Sequence, residues 1–276
     1  MGLERAYDAV AAALRRARGL VVATGAGMGV DSGLPDFRGP QGFWKAYPMY
    51  ERLGLRFEDA ANPEHFEADP AFGWGFYGHR LGLYRSTVPH RGYQILRGFA
   101  ERFRLPCFAV TSNVDGQFQK AGFDPSRVAE VHGSIHHLQC TAPCCDEIWE
   151  NRETVEVDLE TMRARRVPAC RRCLRVARPN ILMFGDGSWL PHRSHAQQRR
   201  FEAFLEEHGE DLLVVEIGAG TAVPTIRFLS ERLGRSPGAV VARVNPREAD
   251  IRPPHLSVPA GALEALEAVE RRLGAA

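Results

Sequence analysis

The sequence predicts an α/β fold in which a mostly parallel sheet is covered by helices on both faces, with two insertions that build a smaller second lobe. Short apolar segments at 212–217 and 239–244 are separated by amphipathic helical patterns, which is typical of strands buried between two helix layers. Residues 139–179 hold five of the six cysteines, and residues 40–98 are rich in aromatic residues and proline without a clear strand. These two segments interrupt the alternation, so we interpret them as the insertions.

Size and composition are those of a globular protein with one large or two modest domains. The chain has 276 residues, 44% hydrophobic and 25% charged, and a net charge of +1, so no overall field favours nucleic acid or an anionic membrane. The N-terminus lacks signal-peptide features, and no apolar run approaches the roughly 18 residues of a membrane span. We therefore expect a cytoplasmic protein without nucleic-acid or membrane partners, in which clustered cysteines indicate metal. The composition predicts no oligomeric state.

The predicted elements alternate between helix and strand. An amphipathic helix at 4–18 precedes a strand at 20–24. The predictions that follow are helical segments within 40–98, a strand at 107–113, a short helix at 117–121, the segments VAEVHGS (128–134) and ILMFG (181–185) on either side of the cysteine region, a helix at 195–208, a strand within 211–220, a helix at 223–234, a strand at 239–245 and a closing helix at 261–273. Ser194 and Gln197 fit the S-x-x-Q capping box of a helix start.

The loop after the first strand departs from the dinucleotide fingerprint. Gly25, Gly27 and Gly29 follow the strand, but G-x-G-x-x-G needs its third glycine one position later. A second compact cluster follows at 32–39, where a nucleotide-binding fold would continue its helix. The segment therefore predicts a ligand that needs both halves of the loop.

The cysteines predict a structural zinc site. Cys170 and Cys173 have C-x2-C spacing, and Cys140 pairs with either Cys144 or Cys145. Two short pairs can surround one tetrahedral Zn²⁺, and four thiolates leave no position for water or substrate. We take Cys144 as the fourth ligand and keep Cys145 as the alternative; buried thiols and redox cysteines are the competing interpretations.

Polar residues cluster where predicted strands end. Ser112, Asn113 and Asp115 follow one strand, which indicates either ligand contacts or a turn. His132 follows an apolar segment and precedes Gly133, so it is either a functional or a structural histidine. His136 and His137 lie beside the cysteines, and we expect them to be solvated.

A later strand ends in Gly218, Ala219 and Gly220. These small residues can let the backbone approach a phosphate or a ribose, or they can serve tight packing of the strand against the next helix. Asn245 is another polar group at a strand end.

The order of these motifs resembles the sirtuin family of NAD-dependent protein-lysine deacylases. The family pattern G-A-G-x-S-x-x-S-G-I-P-D-F-R resembles residues 25–38, its Q-N-x-D resembles 112–115, and its catalytic H-G resembles 132–133. Its structural zinc site matches the cysteine pairs. Its F-G-E, G-T-S and late strand-end Asn resemble 184–186, 218–220 and Asn245. The departures are Gly29 for Ser, Leu34 for Ile, Ser112 for Gln and Asp186 for Glu.

The resemblance implies a Rossmann-like domain made of 1–39, 99–138 and 180–276, a helical insertion at 40–98 and a zinc-binding module at 139–179. NAD as co-substrate would meet the acylated lysine of a protein substrate in the cleft between them. His132 would be the general base, with Asn113 and Asp115 as further catalytic groups. The implied cofactor contacts are Gly25, Ala26, Gly27, Asp36, Phe37, Arg38, Trp44, Ser112, Asn113, Asp115, Gly218, Ala219, Gly220, Asn245, Gly261 and Ala262. The implied substrate contacts are Tyr77, Arg80, Phe184 and Gly185.

Two subgroup resemblances bear on the reaction. Tyr77-x-x-Arg80 resembles the Tyr-x-x-Arg pair of the class III sirtuins, which prefer succinyl, malonyl or glutaryl lysine. A phenol and a guanidinium one helical turn apart can bind a carboxylate together. The alternative is an aromatic helix packed on the core with Arg80 reaching water. The segment NVDGQFQKAGF resembles the class M sirtuins, which transfer ADP-ribose to protein. Retention of His132 favours deacylation; a non-catalytic NAD-binding sensor is the third hypothesis.

Overall fold

The computed structural model describes residues 2–36 and 39–274. The helices of this part of the chain are α1 (Leu3–Arg16), α2 (Gly39–Ala46), α3 (Pro48–Arg52), α4 (Phe57–Ala60), α5 (His65–Ala68), α6 (Pro70–Ser86), α7 (Arg91–Phe103), α8 (Gln117–Lys120), α9 (His192–His208), α10 (Thr225–Leu233) and α11 (Ala262–Gly274). The strands are β1 (Gly19–Thr24), β2 (Cys107–Thr111), β3 (Val128–Glu130), β4 (Gly133–Cys140), β5 (Trp149–Glu150), β6 (Val157–Asp158), β7 (Arg163–Ala164), β8 (Ala177–Ile181), β9 (Leu212–Ile217), β10 (Val240–Val244) and β11 (Leu256–Val258).

The main sheet has six parallel strands in the order β11-β10-β9-β1-β2-β3. Every residue of the central strand β1 is buried, as expected for a strand that is covered on both faces. Leu20 and Val22 of this strand pack with α1, α7 and α11, whereas Val21 and Ala23 pack with α9 and α10. The predicted α/β fold class is confirmed. Strand β11, which the sequence analysis did not predict, adds the sixth position.

A separate core joins the helical insertion to the cysteine region. Strand β4 pairs antiparallel with β5 and β8, and this three-stranded sheet packs against α6. Trp74 of α6 is fully buried and donates from Nε1 to the carbonyl of Ala177 at 2.7 Å. The helix also passes very close to the β6–β7 hairpin, because a Cβ at Gly75 would lie 1.7 Å from the carbonyl oxygen of Met162. The second core therefore depends on residues from both insertions.

The predicted capping box at Ser194 and Gln197 is wrong. Helix α9 already begins at His192, so both side chains lie inside it. Ser194 Oγ donates to the Glu130 carbonyl at 2.9 Å, and Gln197 Oε1 accepts from the Glu130 amide at 3.0 Å. These polar side chains fasten the helix to edge strand β3, where no further strand satisfies the backbone groups.

No helix within residues 2–36 and 39–274 is both long enough and apolar enough to cross a bilayer.

Candidate active site

A cleft of about 550 Å³ opens between the parallel sheet and the second core. It lies at the carboxyl ends of β1, β2 and β9, where ligands of open α/β sheets bind. Its volume falls in the ordinary range for a small-molecule or cofactor site. The sequence-predicted residues that line it are Gly25, Ala26, Asp36, Tyr77, Arg80, Ser112, Asn113, Asp115, His132, Phe184, Gly218, Ala219 and Gly220.

The glycines after β1 and β9 bring two backbone segments together at the cleft. A Cβ on Gly25 would lie 2.8 Å from the carbonyl oxygen of Gly218, and a Cβ on Gly218 would lie 2.4 Å from Cα of Gly27. Gly218 also has a φ of +63°, which favours glycine. A short 3₁₀ helix (Ala26–Ser32) replaces the long helix of a dinucleotide fingerprint. Gly27 therefore supports the wall of the cleft from behind, whereas Gly25 and Ala26 face it.

The end of β2 holds an amide and a carboxyl group in fixed positions. Asn113 Nδ2 donates to the carbonyl of Gly25 at 3.1 Å, and Asp115 Oδ1 accepts from the backbone amide of Gln117 at 3.0 Å. Asp115 is only 7% exposed. This burial raises the pKa of its carboxyl to about 6; the Gln117 amide opposes the rise, and the negative charge of Glu130 adds to it. Asp115 therefore stays partly protonated near neutral pH.

His132 lies at the cleft between β3 and β4. Its Nε2 is 3.2 Å from Thr225 Oγ1, and its ring also contacts the backbone carbonyl of Ser112. Burial lowers the pKa of the imidazole, although the Ser112 carbonyl opposes this, so the neutral form is favoured. Gly133 next to it is needed because its φ is +82° and a Cβ would lie 2.1 Å from the Asn180 carbonyl oxygen. A neutral imidazole at this position is suited to accept a proton.

His136 and His137 were expected to be solvated, but both are only half-exposed. His136 Nε2 lies 2.9 Å from the Asp115 carbonyl oxygen, so its ring packs directly behind the cleft. Burial lowers the pKa of His137 to about 4, and Arg193 lowers it further. Burial thus favours the neutral form of both imidazoles, and His136 lies directly behind Asp115.

Some predicted cofactor contacts lie outside the cleft lining. Trp44 donates from Nε1 to the carbonyl of Leu55 at 2.6 Å. Asn245 is 1% exposed and donates from Nδ2 to the Ala219 carbonyl at 2.9 Å, so it shapes the glycine loop from behind. Gly261 and Ala262, at the start of α11, are not among the lining residues.

The second compact cluster, at 32–39, is only partly described. Asp36 lines the cleft and pairs with Arg247 at 3.1 Å, which links this loop to the end of β10. The predicted contacts Phe37 and Arg38 lie outside the described residues.

Two of the four predicted substrate residues, Tyr77 and Arg80, lie in an aromatic pocket of the cleft. Arg80 is 6% exposed, and its guanidinium carbon lies 5.0 Å from the ring centre of Phe76, 5.3 Å from that of Tyr84 and 5.5 Å from that of Tyr77. The alternative in which Arg80 reaches water is therefore wrong. Phe184 remains 41% exposed at the rim, and Gly185 next to it is outside the lining.

The cysteine cluster fits a tetrahedral metal. The sulfur atoms of Cys140, Cys144, Cys170 and Cys173 all lie within 4.8 Å of one another. Cys140 and Cys173 are 3.6 Å apart, and Cys144 and Cys170 are 3.7 Å apart. Tetrahedral Zn²⁺ with Zn–S bonds of about 2.3 Å requires sulfur separations of about 3.8 Å. Cys145 is not part of this group, so Cys144 is the residue that completes it.

Sequence reasoning missed several residues of this region. Tyr84 and Thr225 line or border the cleft and contact Arg80 and His132 directly. Behind His132, buried Glu130 pairs with Arg193 at 2.5 Å. Tyr84 carried one usable signal, because it follows Arg80 by four residues on the same helix. The Thr225 contact carried none, since it depends on where α10 packs.

The fold and the site together define an α/β enzyme that binds a nucleotide at the strand ends and carries a separate four-cysteine module. The chain belongs to the Sir2 family: residues 25–223 match the model of that family. It is 33% identical over 255 residues to NAD-dependent protein deacylase 1 of Caldanaerobacter subterraneus subsp. tengcongensis, covering 92% of this chain and 93% of the relative. The predicted sirtuin resemblance is thereby confirmed.

Two further similarities agree with this assignment. An NAD-dependent protein deacylase of Methylococcus capsulatus is 33% identical over 244 residues, covering 87% of this chain and 86% of the relative. Among solved structures, an ADP-ribose complex of a mutant Sir2 homologue superposes with a TM-score of 0.71 at 25% identity, covering 97% of each chain.

Proposed function

We propose that this chain is an NAD-dependent protein deacylase that removes the acyl group from a modified lysine of a protein substrate, releasing nicotinamide and an O-acyl-ADP-ribose. The observation that carries the proposal is the neutral His132 at the cleft, opposite the glycine loops at the ends of β1 and β9. Family membership and the named activity of the relatives support it.

The glycine loops are suited to the pyrophosphate and ribose of NAD. NAD supplies the ribose carbon that loses nicotinamide and captures the acyl oxygen. Gly25, Ala26 and Gly218 to Gly220 expose backbone to the cleft without side chains in the way. In this proposal NAD lies against the unit formed by 1–39, 99–138 and 180–276, and the lysine enters from the side of the 40–98 insertion.

The contacts of His132 support Nε2 as the nitrogen that would act as base. The Ser112 carbonyl can only accept a hydrogen bond, so the ring nitrogen facing it carries the proton. Nε2 then has the free lone pair, which accepts from the Thr225 hydroxyl at 3.2 Å. A ribose hydroxyl of NAD would take over this contact and give its proton to Nε2.

Asn113 and Asp115 are suited to orient the nicotinamide end. Asn113 uses its Nδ2 on the Gly25 carbonyl, which leaves the amide oxygen as an acceptor toward the cleft. Asp115 is buried at the base of the same wall. Fixed side chains limit the entry of water, which would otherwise intercept the reactive ribose centre.

The acyl group is proposed to be dicarboxylic, as in succinyl-lysine. Tyr77 and Arg80 line the cleft, and the buried guanidinium is a cation in apolar surroundings, where its attraction to a carboxylate is stronger than in water.

The cysteine module is proposed to hold one structural Zn²⁺ through Cys140, Cys144, Cys170 and Cys173.

A peptide panel tests the proposal. Acetyl-, succinyl-, malonyl- and glutaryl-lysine peptides are incubated with the chain and NAD, and deacylation is followed by mass spectrometry. We expect the acidic acyl groups to be removed fastest and all turnover to be lost in His132→Ala. Arg80→Met should reduce turnover of succinyl-lysine far more than that of acetyl-lysine. Equal losses on both peptides would contradict the assignment of Arg80, and addition of ADP-ribose to protein without deacylation would contradict the reaction.

A further inference from the structure

Tyr84 lies beside Arg80 in the wall of the cleft. Both residues lie on α6, four positions apart, and both line the cleft. Arg80 Nε donates to Tyr84 Oη at 2.9 Å, and Arg80 Nη2 donates to the same oxygen at 2.7 Å. The edge of the guanidinium that most often grips a carboxylate with two parallel bonds is therefore already engaged by a phenol.

The hydroxyl group of Tyr84 accepts hydrogen bonds from Arg80 but also carries a proton that it can donate. The phenol oxygen has two lone pairs, and both are directed to Arg80 by the two bonds that it accepts. Burial raises the pKa of Tyr84, so the hydroxyl keeps its proton at neutral pH. Within residues 2–36 and 39–274, no acceptor for this proton is found. The Tyr84 side chain is only 5% exposed and lines the cleft, so a ligand there can supply the acceptor that the described residues lack.

The position of the phenol is fixed by its surroundings. The ring lies 5.3 Å from the guanidinium carbon of Arg80, and the Tyr84 backbone carbonyl accepts from Gln117 Nε2 at 3.2 Å. Gln117 is itself fully buried, and its backbone amide donates to Asp115 Oδ1. The turn of helix that carries Tyr84 is therefore tied to the wall that holds Asp115.

We propose that Tyr84 is a specificity-determining residue whose hydroxyl donates a hydrogen bond to the terminal carboxylate of a dicarboxylic acyl group. The inference rests on the proposed deacylase function and names the group that receives the acyl chain. The carboxylate binds the phenol proton while the charge of Arg80 stabilises it through the shared oxygen. A neutral acetyl group ends before this position and gains nothing from the hydroxyl.

Binding of peptides to the Tyr84→Phe variant tests this directly. The substitution removes the hydroxyl and keeps the ring that packs on Arg80. By titration calorimetry without NAD, the wild-type chain should bind a succinyl-lysine peptide more tightly than the acetyl-lysine peptide of the same sequence. Tyr84→Phe should lose at least about tenfold in affinity for the succinyl peptide, as expected for a lost hydrogen bond to a charged group, and much less in affinity for the acetyl peptide.

Tyr50→Phe is the matched control. Its hydroxyl is buried in the same aromatic core, has no partner among the described residues and does not line the cleft, so this variant should keep the wild-type preference. The inference is overturned if Tyr84→Phe binds the succinyl peptide as well as the wild type or better, because the freed guanidinium edge would then suffice. It is also overturned if the variant weakens both peptides equally, or if the wild type shows no preference.

Turnover measured on the same samples separates the two proposals. Binding that depends on Tyr84 in a chain that deacylates no peptide would contradict the deacylase function and leave the acyl-binding site intact. NAD-dependent removal of acetyl groups by a wild type that shows no preference for the succinyl peptide would support the deacylase function and contradict the role of Tyr84.

Discussion

Burial pushes two neighbouring residues of the cleft toward their neutral forms. His132 loses its proton more readily than a free imidazole, and Asp115 keeps its proton more strongly than a free carboxyl. Both effects arise because a charge is costly where little water reaches it. The neutral base is useful for proton transfer at physiological pH, whereas the buried carboxyl costs stability once it ionises.

Asp115→Asn should therefore stabilise the protein in a pH-dependent way. The carboxyl ionises near pH 4 in the unfolded chain and near pH 6 in the folded one, so its favourable contribution is complete below pH 4 and disappears as the pH rises through 6. Asparagine keeps the oxygen that accepts from Gln117 but carries no charge. We expect the free energy of unfolding, from urea titration, to increase by up to about 3 kcal/mol at pH 8.

The same measurement at pH 4 is the control, because wild type and Asp115→Asn should then have the same stability. A variant that is less stable than the wild type at pH 8 would show that the ionised carboxylate is stabilised by contacts other than those found here.

The sequence predicted which residues meet at the cleft better than it predicted their partners. Motif residues at strand ends, such as Asn113, His132 and Gly218, meet there because parallel strands bring their carboxyl ends to one edge. The contacts of Tyr84 and Thr225 depend on how helices α6 and α10 pack, which no local pattern encodes. His136 and His137 were expected to be solvated, because a polar sequence pattern does not reveal that both become half-buried in β4.

At the scale of elements, the long apolar strands were predictable and the short ones were not. Strand β9 is six buried residues between two helices, so its pattern is unambiguous. Strands β5, β6 and β7 have two residues each, and they depend on tertiary contacts: β5 pairs with β4, and the β6–β7 hairpin packs on α6. The capping box failed for a related reason: Ser194 and Gln197 bind the edge strand β3 instead of the helix start.

Gly133→Ala tests the contact between β4 and β8. The new Cβ would lie 2.1 Å from the Asn180 carbonyl oxygen at a φ of +82°, so the strands must separate. We expect a loss of about 2 kcal/mol or more in the free energy of unfolding and a large loss of activity, because His132 moves with the strand.

Gly187→Ala is the matched control for this substitution. It has no heavy atom within 4 Å of the added Cβ and no positive φ, so thermal melting and activity should both remain close to the wild type. Equal behaviour of the two variants would show that the β4–β8 contact does not position His132.

The two neighbouring cysteines allow a sharp test of the metal module. Cys144 belongs to the tetrahedral group, whereas Cys145 lies 3.8 Å from Cys144 and outside it. We expect about one equivalent of zinc in the wild type and in Cys145→Ser by elemental analysis, and much less in Cys144→Ser. Because Cys140 and Cys170 are also part of the second core, Cys144→Ser should melt at a lower temperature. Full zinc in Cys144→Ser with loss in Cys145→Ser would reverse the assignment.

At the scale of the whole molecule, the architecture places the cleft between two independently built cores. The parallel sheet contributes the glycine loops and Asn113, and the second core contributes Arg80 and Tyr84. Fold class and family were predictable because ordered motifs span most of the chain, and both are confirmed. The meeting of the Tyr77–Arg80 pocket with the glycine loops was predictable only through the family resemblance, since these residues are distant in sequence.

The fate of the acyl group tests the deacylase account most directly. The chain is incubated with NAD and a succinyl-lysine peptide, and nicotinamide, free peptide and ADP-ribose species are counted in one mass-spectrometric measurement. The account predicts one nicotinamide and one O-succinyl-ADP-ribose for each lysine that is freed, with none of the three formed by His132→Ala. Free succinate without nicotinamide, or ADP-ribose attached to protein while the peptide stays acylated, would contradict it.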